Sequence, residues 1–196
     1  MPNDILTNLK VSQGAPDHME ITRLGGGWTA QTATLFAPLV AVPTTVAALE
    51  LWNNTNNDMT MVIDTLFADQ VLGTAATQTY AIFACVCIPK AVPTLTALTV
   101  NSLSGRGPYT SAVGSRVVTG VGTTVIAAGW RPWGDVQAWG TAAATPGNAW
   151  HVNVDGRLLV PPGCSLALHV VGSLATASTF QVGASWYEVS DLPVIS

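Results

Sequence analysis

The stretch from Val152 to Glu188 constrains the fold more than any other part of the sequence. Apolar residues alternate with small or polar ones along 165–171 and again along 179–188. A period of two residues is typical of a β-strand that buries one face. Residues 161–163, Pro-Pro-Gly, interrupt the strands with a turn, because proline has no N–H for a sheet and glycine tolerates positive φ. The stretch therefore predicts the closing half of an antiparallel β-sandwich.

The preceding sequence predicts further strands and no amphipathic helix. Polar residues at 53–58 separate two strand-like segments, 45–52 and 60–66, and this arrangement predicts a hairpin. Residues 131–134 and 145–148 have the composition of turns. The remaining strand-like segments are 19–24, 78–88, 95–100, 123–130 and 136–139. About eight to ten strands at this spacing are typical of an all-β sandwich or jelly roll.

The chain divides into an extended N-terminal arm, residues 1–27, and a single sandwich domain, residues 28–196. The arm is rich in turn-forming residues and ends in consecutive glycines at 25–27. A domain of this length is ordinary for one β-sandwich. Such an arm becomes ordered when it lies along a neighbouring subunit, so it favours assembly.

Charged residues are unusually rare in this chain. They make up 9% of the sequence, against roughly 25% in an ordinary soluble domain. Because a free monomer needs a hydrated, charged surface, much of this surface is expected to lie against other subunits. The most apolar strand, 78–88, is expected to be buried on both faces or to lie at a subunit contact. The residues predicted to form subunit contacts are Tyr80, Ile82, Phe83, Trp130 and Trp133.

The composition argues against several other classes of protein. The net charge is −4 and the Lys and Arg residues are scattered, which leaves no basic stripe to neutralise phosphates. The apolar segment 79–88 is shorter than the about 20 residues that a membrane-spanning helix needs. The N-terminus lacks the basic and apolar regions of a secretory signal. We therefore expect no nucleic-acid partner, no membrane partner and synthesis in a cytoplasm.

No motif in the sequence indicates an enzyme. The three histidines are far apart, and no nucleophile elbow, Walker loop or dinucleotide fingerprint is present. Cys85 and Cys87 share one face of a predicted strand and cannot easily bridge each other, so they and Cys164 are expected to be small buried apolar residues. No fourth ligand lies near the two strand cysteines to complete a metal site. We expect no cofactor and no bound metal.

A polar cluster near the C-terminal strands is the sharpest local candidate for ligand binding. His151, Asn153 and Asp155 alternate onto one face of a strand, where their oxygens and ring nitrogen could bind a cation or a glycan. The favoured explanation is a polar outer face that ends in a turn at Asp155. Trp139, with Asn148 nearby, could stack on a sugar, although core packing or subunit contact is the favoured role of such tryptophans.

The end of the chain resembles the small jelly-roll proteins of tailed bacteriophages and related environmental viruses. The resemblance rests on Val-Pro-Pro-Gly at 160–163, Ser-Leu-Ala-Leu at 165–168 and a closing strand that ends in Trp-Tyr-Glu-Val at 186–189. It implies a jelly-roll virion structural protein, commonly trimeric, such as a head decoration or cement protein or a fibre tip. No functional residue carries over, because the pattern is architectural.

These features lead to one hypothesis and two alternatives. The hypothesis is a jelly-roll capsid decoration subunit, located in the virion, that contacts copies of itself, as a trimer, and other virion proteins such as a major capsid protein. The first alternative is a carbohydrate- or receptor-binding module of a phage fibre or tail, with a host glycan as ligand. Its candidate residues are Trp139, Asn148, His151, Asn153 and Asp155. The second alternative is a sandwich-fold hydrolase that uses His151 or Asp155.

Overall fold

The computed structural model describes residues 17–56, 58–73, 78–89, 96–105, 116–117, 129–139, 149–174 and 178–190. Within this part of the chain the elements follow in the order α1 (Asp17–Arg23), β1 (Gly27–Gln31), β2 (Leu49–Trp52), β3 (Met59–Leu72), β4 (Gln78–Cys87), β5 (Thr96–Ala97), β6 (Val100–Ser102), β7 (Arg116–Val117), β8 (Arg131–Trp139), β9 (Ala149–Val160), β10 (Ser165–Gly172) and β11 (Thr179–Ser190). No helix in these described ranges is long and apolar enough to cross a membrane.

The strands form two antiparallel sheets and a small ribbon. One sheet has five strands in the order β6-β1-β11-β3-β9, and the other has four in the order β2-β10-β4-β8. The ribbon consists of β5 and β7 and contacts β2. All of these strand pairings are antiparallel. The predicted all-β class is confirmed, and the two sheets are compatible with a β-sandwich.

Consecutive long strands mostly alternate between the two sheets. The chain passes from β1 in the five-stranded sheet to β2 in the four-stranded sheet and back to β3, and β9, β10 and β11 alternate in the same way. The predicted hairpin between 45–52 and 60–66 is therefore wrong, because β2 and β3 belong to different sheets. The polar turn signal marks where the chain reverses, but it does not specify which sheet the next strand joins.

The main core contains side chains from both sheets. Trp28, Phe180 and Trp186 come from the five-stranded sheet, and they belong to the same buried cluster as Tyr80 and Leu166 of the four-stranded sheet. Burying a large apolar side chain completely contributes about 1.5–3 kcal/mol relative to leaving it exposed. This shared cluster therefore holds the two sheets together.

The alternating sequence of β9 produces alternating burial up to a bulge at Asp155, inside the strand. From Ala149 to Val154 the residues are exposed and buried in strict alternation. Asp155 and Gly156 then take positive φ angles of 52° and 73°, and the pairing with β3 shifts register. The predicted turn at Asp155 is thus a bulge, since β9 continues to Val160.

Two further local predictions are wrong. Residues 19–24 were predicted as a short strand, but Asp17–Arg23 forms α1, which contacts β1 and β11. Residues 131–134 have the composition of a turn, but they begin β8. Because β8 is an edge strand, it tolerates Pro132, whose missing N–H is not needed there. The predicted arm lies mostly outside the described residues, which begin at Asp17, as do the predicted turn at 145–148 and residues 123–128 of a predicted strand.

A buried asparagine ties together the chain segments at one end of the two sheets. Asn53 is fully buried, and its Nδ2 donates to the carbonyl oxygens of Met59 at 2.7 Å and Val160 at 2.8 Å. Its backbone N–H donates to the carbonyl of Cys164, and its own carbonyl accepts from the N–H of Gly163. This one residue therefore links the ends of β2, β3 and β9 to the turn before β10.

Candidate functional site

The predicted contact residues lie in three different environments. Tyr80 and Ile82 are buried in the main core. Phe83 and Trp130 belong to a second, smaller cluster, in which Trp130 is buried and Phe83 is half-buried. Trp133 is half-buried against the main core, and the guanidinium carbon of Arg157 lies 5.5 Å from its ring centroid. Tyr80 and Ile82 therefore play no part in the surfaces described below.

The predicted ligand-binding residues are only partly brought together. His151, Asn153 and Asp155 are all exposed along β9, as the alternation indicates. Trp139 ends β8 in the other sheet, where it pairs with Gln78. Asn148 lies outside the described residues.

The clearest surface feature is one end of the two sheets, where the described residues between strands carry no charge. We define this uncharged end by those described segments: 32–48 between β1 and β2, Gly73 after β3, and Ser173, Leu174 and Ser178 between β10 and β11. None of these segments contains Asp, Glu, Lys, Arg or His. The segment that joins β2 and β3 at the opposite end includes Asp58.

Large apolar side chains are exposed at the uncharged end. Leu35 precedes Phe36, which bridges to Phe180 on one side of β11, and Leu72 pairs with Thr179 on the other side. The backbones that carry Leu35 and Leu72 are therefore separated by two strand spacings, which amount to about 10 Å, so these leucines are near neighbours. The exposed apolar residues of this end are Leu35, Val40, Val42, Leu72 and Leu174.

The segment 32–48 is held against both sheets. Phe36 exchanges two backbone hydrogen bonds with Phe180, and Leu39 donates to the carbonyl of Val170 and accepts from the N–H of Gly172. These bonds fix the backbone just before Val40, and the bond from the N–H of Ala48 to the carbonyl of Leu168 holds the other end of the segment. The exposed side chains of this segment are therefore presented by ordered backbone.

The outward surface of the five-stranded sheet has a different character. We call it the polar face and define it by Thr29, Gln31, Thr65, Phe67, Asp69, His151, Asn153, Gln181 and Ser185. The Phe67 and His151 rings stack with their centroids 5.6 Å apart and their planes at 27°. Nε2 of Gln31 donates to Oδ2 of Asp69 at 3.1 Å and to Oε1 of Gln181 at 3.2 Å. Polar groups from four strands thus surround one aromatic pair.

A buried carboxylate lies on the outward side of the four-stranded sheet. Glu50 is fully buried, and neither of its carboxylate oxygens has a hydrogen-bond partner of good geometry. Its register partner is Ala167, which in turn pairs with Cys85. Desolvation by burial raises the pKa of Glu50, and the neighbouring Ser165 hydroxyl opposes this rise.

Two of the three cysteines, Cys85 and Cys164, are kept in the thiol form. Contact with the Cys87 thiol, followed by desolvation, raises the pKa of Cys85. Desolvation also raises the pKa of Cys164. All three cysteines are free, and a protonated thiol is a poor nucleophile and a poor metal ligand. Among the described residues, no group of three His, Cys, Asp or Glu side chains is placed to hold a metal ion.

Two other titratable groups are perturbed by burial. Desolvation lowers the pKa of His169, and the hydrogen-bond contact of its Nδ1 with the carbonyl of Val170 opposes this at 2.9 Å. Desolvation, and next the negative charge of Asp64, raise the pKa of Tyr187 to about 12. In both groups burial is the largest cause of the shift in pKa.

The sequence did not predict the uncharged end, and it predicted the polar face only in part, through His151 and Asn153. The charge-free segments are visible in the sequence, but only the strand order shows that their ends meet at one end of the molecule. Phe67 and Gln31 carry no local signal, because an alternating strand does not reveal which residues stand beside it across the sheet. No protein-family model, curated protein or solved structure matches this chain.

Proposed function

We propose that this chain is a structural subunit that assembles with copies of itself, and that the uncharged end is the contact surface. The observation that carries this proposal is the exposure of Leu35, Val40, Val42, Leu72 and Leu174 at an end whose connecting segments contain no charged residue. Removing such a surface from water desolvates no charge. Burying the exposed half of one of these side chains contributes about 1 kcal/mol.

The strand order supports a more specific fold. When the short strands β5, β6 and β7 are set aside, the two sheets read β1-β11-β3-β9 and β2-β10-β4-β8. Eight antiparallel strands divided in this way correspond to a jelly roll, an architecture found in viral capsid and lectin domains. We therefore propose that the sandwich is a jelly roll, with the connection from β1 to β2 at its uncharged end.

We propose from the fold and the low charge that the subunit belongs to a virus particle. A jelly roll with few charges and a resemblance to small phage virion proteins fits a capsid decoration or cement subunit. Such a subunit is made in the host cytoplasm, forms a trimer and adds to a shell built by a major capsid protein. Its contacts are permanent, so a low-charge surface carries no penalty in solubility once they form.

Sedimentation velocity near neutral pH tests the assembly and its location together. Val40 and Ile88 are matched positions, with 59% and 66% of their surface exposed, and Ile88 follows β4 at the opposite end. We expect the wild-type chain and Ile88→Asp to sediment as trimers and Val40→Asp to sediment as a monomer. An unpaired carboxylate buried in a contact costs several kcal/mol, which accounts for the difference.

The proposal has a clear negative outcome in this experiment. A monomeric wild-type chain would remove the assembly role. A trimer that is lost in Ile88→Asp but kept in Val40→Asp would place the contact elsewhere. Circular dichroism of both variants checks that each has kept its strands.

A further inference from the structure

The polar face carries a flat aromatic ledge. Phe67 pairs with Gly183 on β11 and with His151 on β9. A Cβ atom at Gly183 would overlap the Phe67 ring, which shows that the ring lies down over the β11 backbone. The stacked imidazole of His151, 5.6 Å away between ring centroids, extends the ledge toward the edge of the sheet. Phe67 is only half-buried, so part of its ring remains open to solvent.

A cluster of hydrogen-bonding groups borders this ledge. Gln31 lies across Gly183 from Phe67, and its Nε2 binds both Asp69 and Gln181. These two bonds engage Nε2 of Gln31, Oδ2 of Asp69 and Oε1 of Gln181. They leave Oε1 of Gln31, Oδ1 of Asp69 and Nε2 of Gln181 to meet a ligand. Together these atoms offer acceptors and a donor, which matches the dual character of a hydroxyl group.

The charges near the polar face select against an anionic ligand. Asp69 is on the face, and Asp64 and Asp155 lie beside it on β3 and β9. The nearby cation, Arg157, is folded back, because its Nε and Nη2 donate to the carbonyls of Val154 at 2.8 Å and Asn153 at 2.9 Å. A sialylated or sulfated molecule would meet carboxylates without a free cation to balance them.

We propose that the polar face binds a neutral carbohydrate. The apolar side of a sugar ring stacks on Phe67, beside His151, and its hydroxyl groups bond to Gln31, Asp69 and Gln181. An aromatic platform with a few converging polar groups is the usual composition of a small-ligand site. This site does not involve the uncharged end, so it can exist whether or not the chain assembles there.

Ligand-observed saturation-transfer NMR on the full chain tests the site. The probes are lactose, cellobiose and maltose as neutral sugars, with sialyllactose as the anionic comparison. We expect at least one neutral sugar to bind and sialyllactose to bind more weakly. Phe67→Leu keeps an apolar cover over Gly183 but removes the flat ring, and it should lower the affinity about two- to tenfold. Gln31→Ala should have a similar effect, and the two changes together should lower affinity by about tenfold or more.

Gln137→Ala is the matched control, because Gln137 is half-buried on β8 of the other sheet. It should bind as the wild-type chain does, and thermal unfolding should show each variant folded at the temperature of the measurement. Binding of none of the three neutral sugars would overturn the proposal. So would a preference for sialyllactose, or equal binding by the wild-type chain and the doubly substituted variant.

Discussion

Replacing Glu50 by glutamine should stabilise this protein at neutral and alkaline pH. Glu50 is fully buried with both carboxylate oxygens unpartnered, so its ionised form is unfavourable in the folded state. Glutamine has nearly the same shape and cannot ionise. The substitution therefore removes the buried charge and leaves the packing against the second cluster in place.

The expected gain follows from the raised pKa of Glu50. Below the ordinary glutamate pKa of about 4.3, both the folded and the unfolded chain are protonated, and the side chain contributes its full stability. As the pH rises through the folded pKa, this contribution is lost, because the unfolded chain ionises more easily. An unpaired buried polar group costs about 1–3 kcal/mol, and a charged one costs more than the neutral amide of glutamine. We therefore expect Glu50→Gln to gain about 1–3 kcal/mol at pH 8 and nothing at pH 4.

Urea unfolding followed by tryptophan fluorescence at several pH values measures this difference. Wild type and variant must be compared at equal subunit concentration, because assembly adds to the apparent stability. Glu188→Gln is the control, since Oε1 of Glu188 accepts a hydrogen bond from Nε1 of Trp186 at 3.3 Å and should give no gain. A Glu50→Gln variant that is no more stable than wild type at pH 8, or equally more stable at both pH values, would refute the reasoning.

Ser165 provides a second test of the same interaction. Its hydroxyl opposes the rise in the pKa of Glu50, so Ser165→Ala should destabilise the wild-type chain at pH 8. In the Glu50→Gln background the same change should have little effect, because no carboxylate charge is left for the hydroxyl to stabilise. Equal effects in both backgrounds would mean that the two side chains are not coupled.

Three further outcomes are expected. Gly183→Ala should destabilise the protein by about 1–3 kcal/mol in thermal unfolding, because a Cβ would overlap the Phe67 ring and a backbone carbonyl oxygen. An unchanged stability would mean that the ring can move aside. Asn53→Ala should lower the free energy of unfolding by about 1–3 kcal/mol by leaving two carbonyl oxygens unpaired, while the exposed Asn56→Ala should change it by less than about 0.5 kcal/mol. His169 favours its neutral form in the fold, so it should contribute stability above about pH 6.5 that is lost as the pH falls. The free energy of unfolding of His169→Gln should therefore fall less between pH 7 and pH 5 than that of the wild type. The same fall in both proteins would contradict this.

The C-terminal strands could be predicted from sequence because each alternates over its whole length and a proline-rich turn separates two of them. Residues 165–171 and 179–188 correspond closely to β10 and β11. The strand 78–88 was also predicted nearly to its bounds. In these segments the alternation predicted where the strands lie but not how they are buried, because β10 is buried on both faces.

The failures share one cause, which is that a local pattern does not specify a neighbour in space. The turn at 53–58 suggested a hairpin, whereas β2 and β3 pair with β10 and β11 in different sheets. Pro132 suggested a turn, whereas an edge strand can accommodate it. Tyr80 and Ile82 were expected at a contact between subunits because their strand is so apolar, and they lie inside the sandwich.

The candidate surfaces were even less visible in the sequence. The uncharged end depends on segments as far apart as 32–48 and 173–174, which lie at the same end because β1 and β11 pair and because Leu39 bridges to Val171. On the polar face, His151 and Asn153 were recognised as outward residues of one strand. Their partner Phe67 became apparent only from the register of β3 against β9.

Hydrogen exchange compared between the wild-type chain and Val40→Asp tests the central claim most directly. The backbone amides of residues 32–48 and 173–174 should exchange about tenfold or more slowly in the assembled wild type than in the monomeric variant, since a contact excludes water from them. Amides of β9, on the polar-face side, should exchange equally in both. Protection that appears only away from the uncharged end, or a variant indistinguishable from wild type in mass and exchange, would contradict the claim.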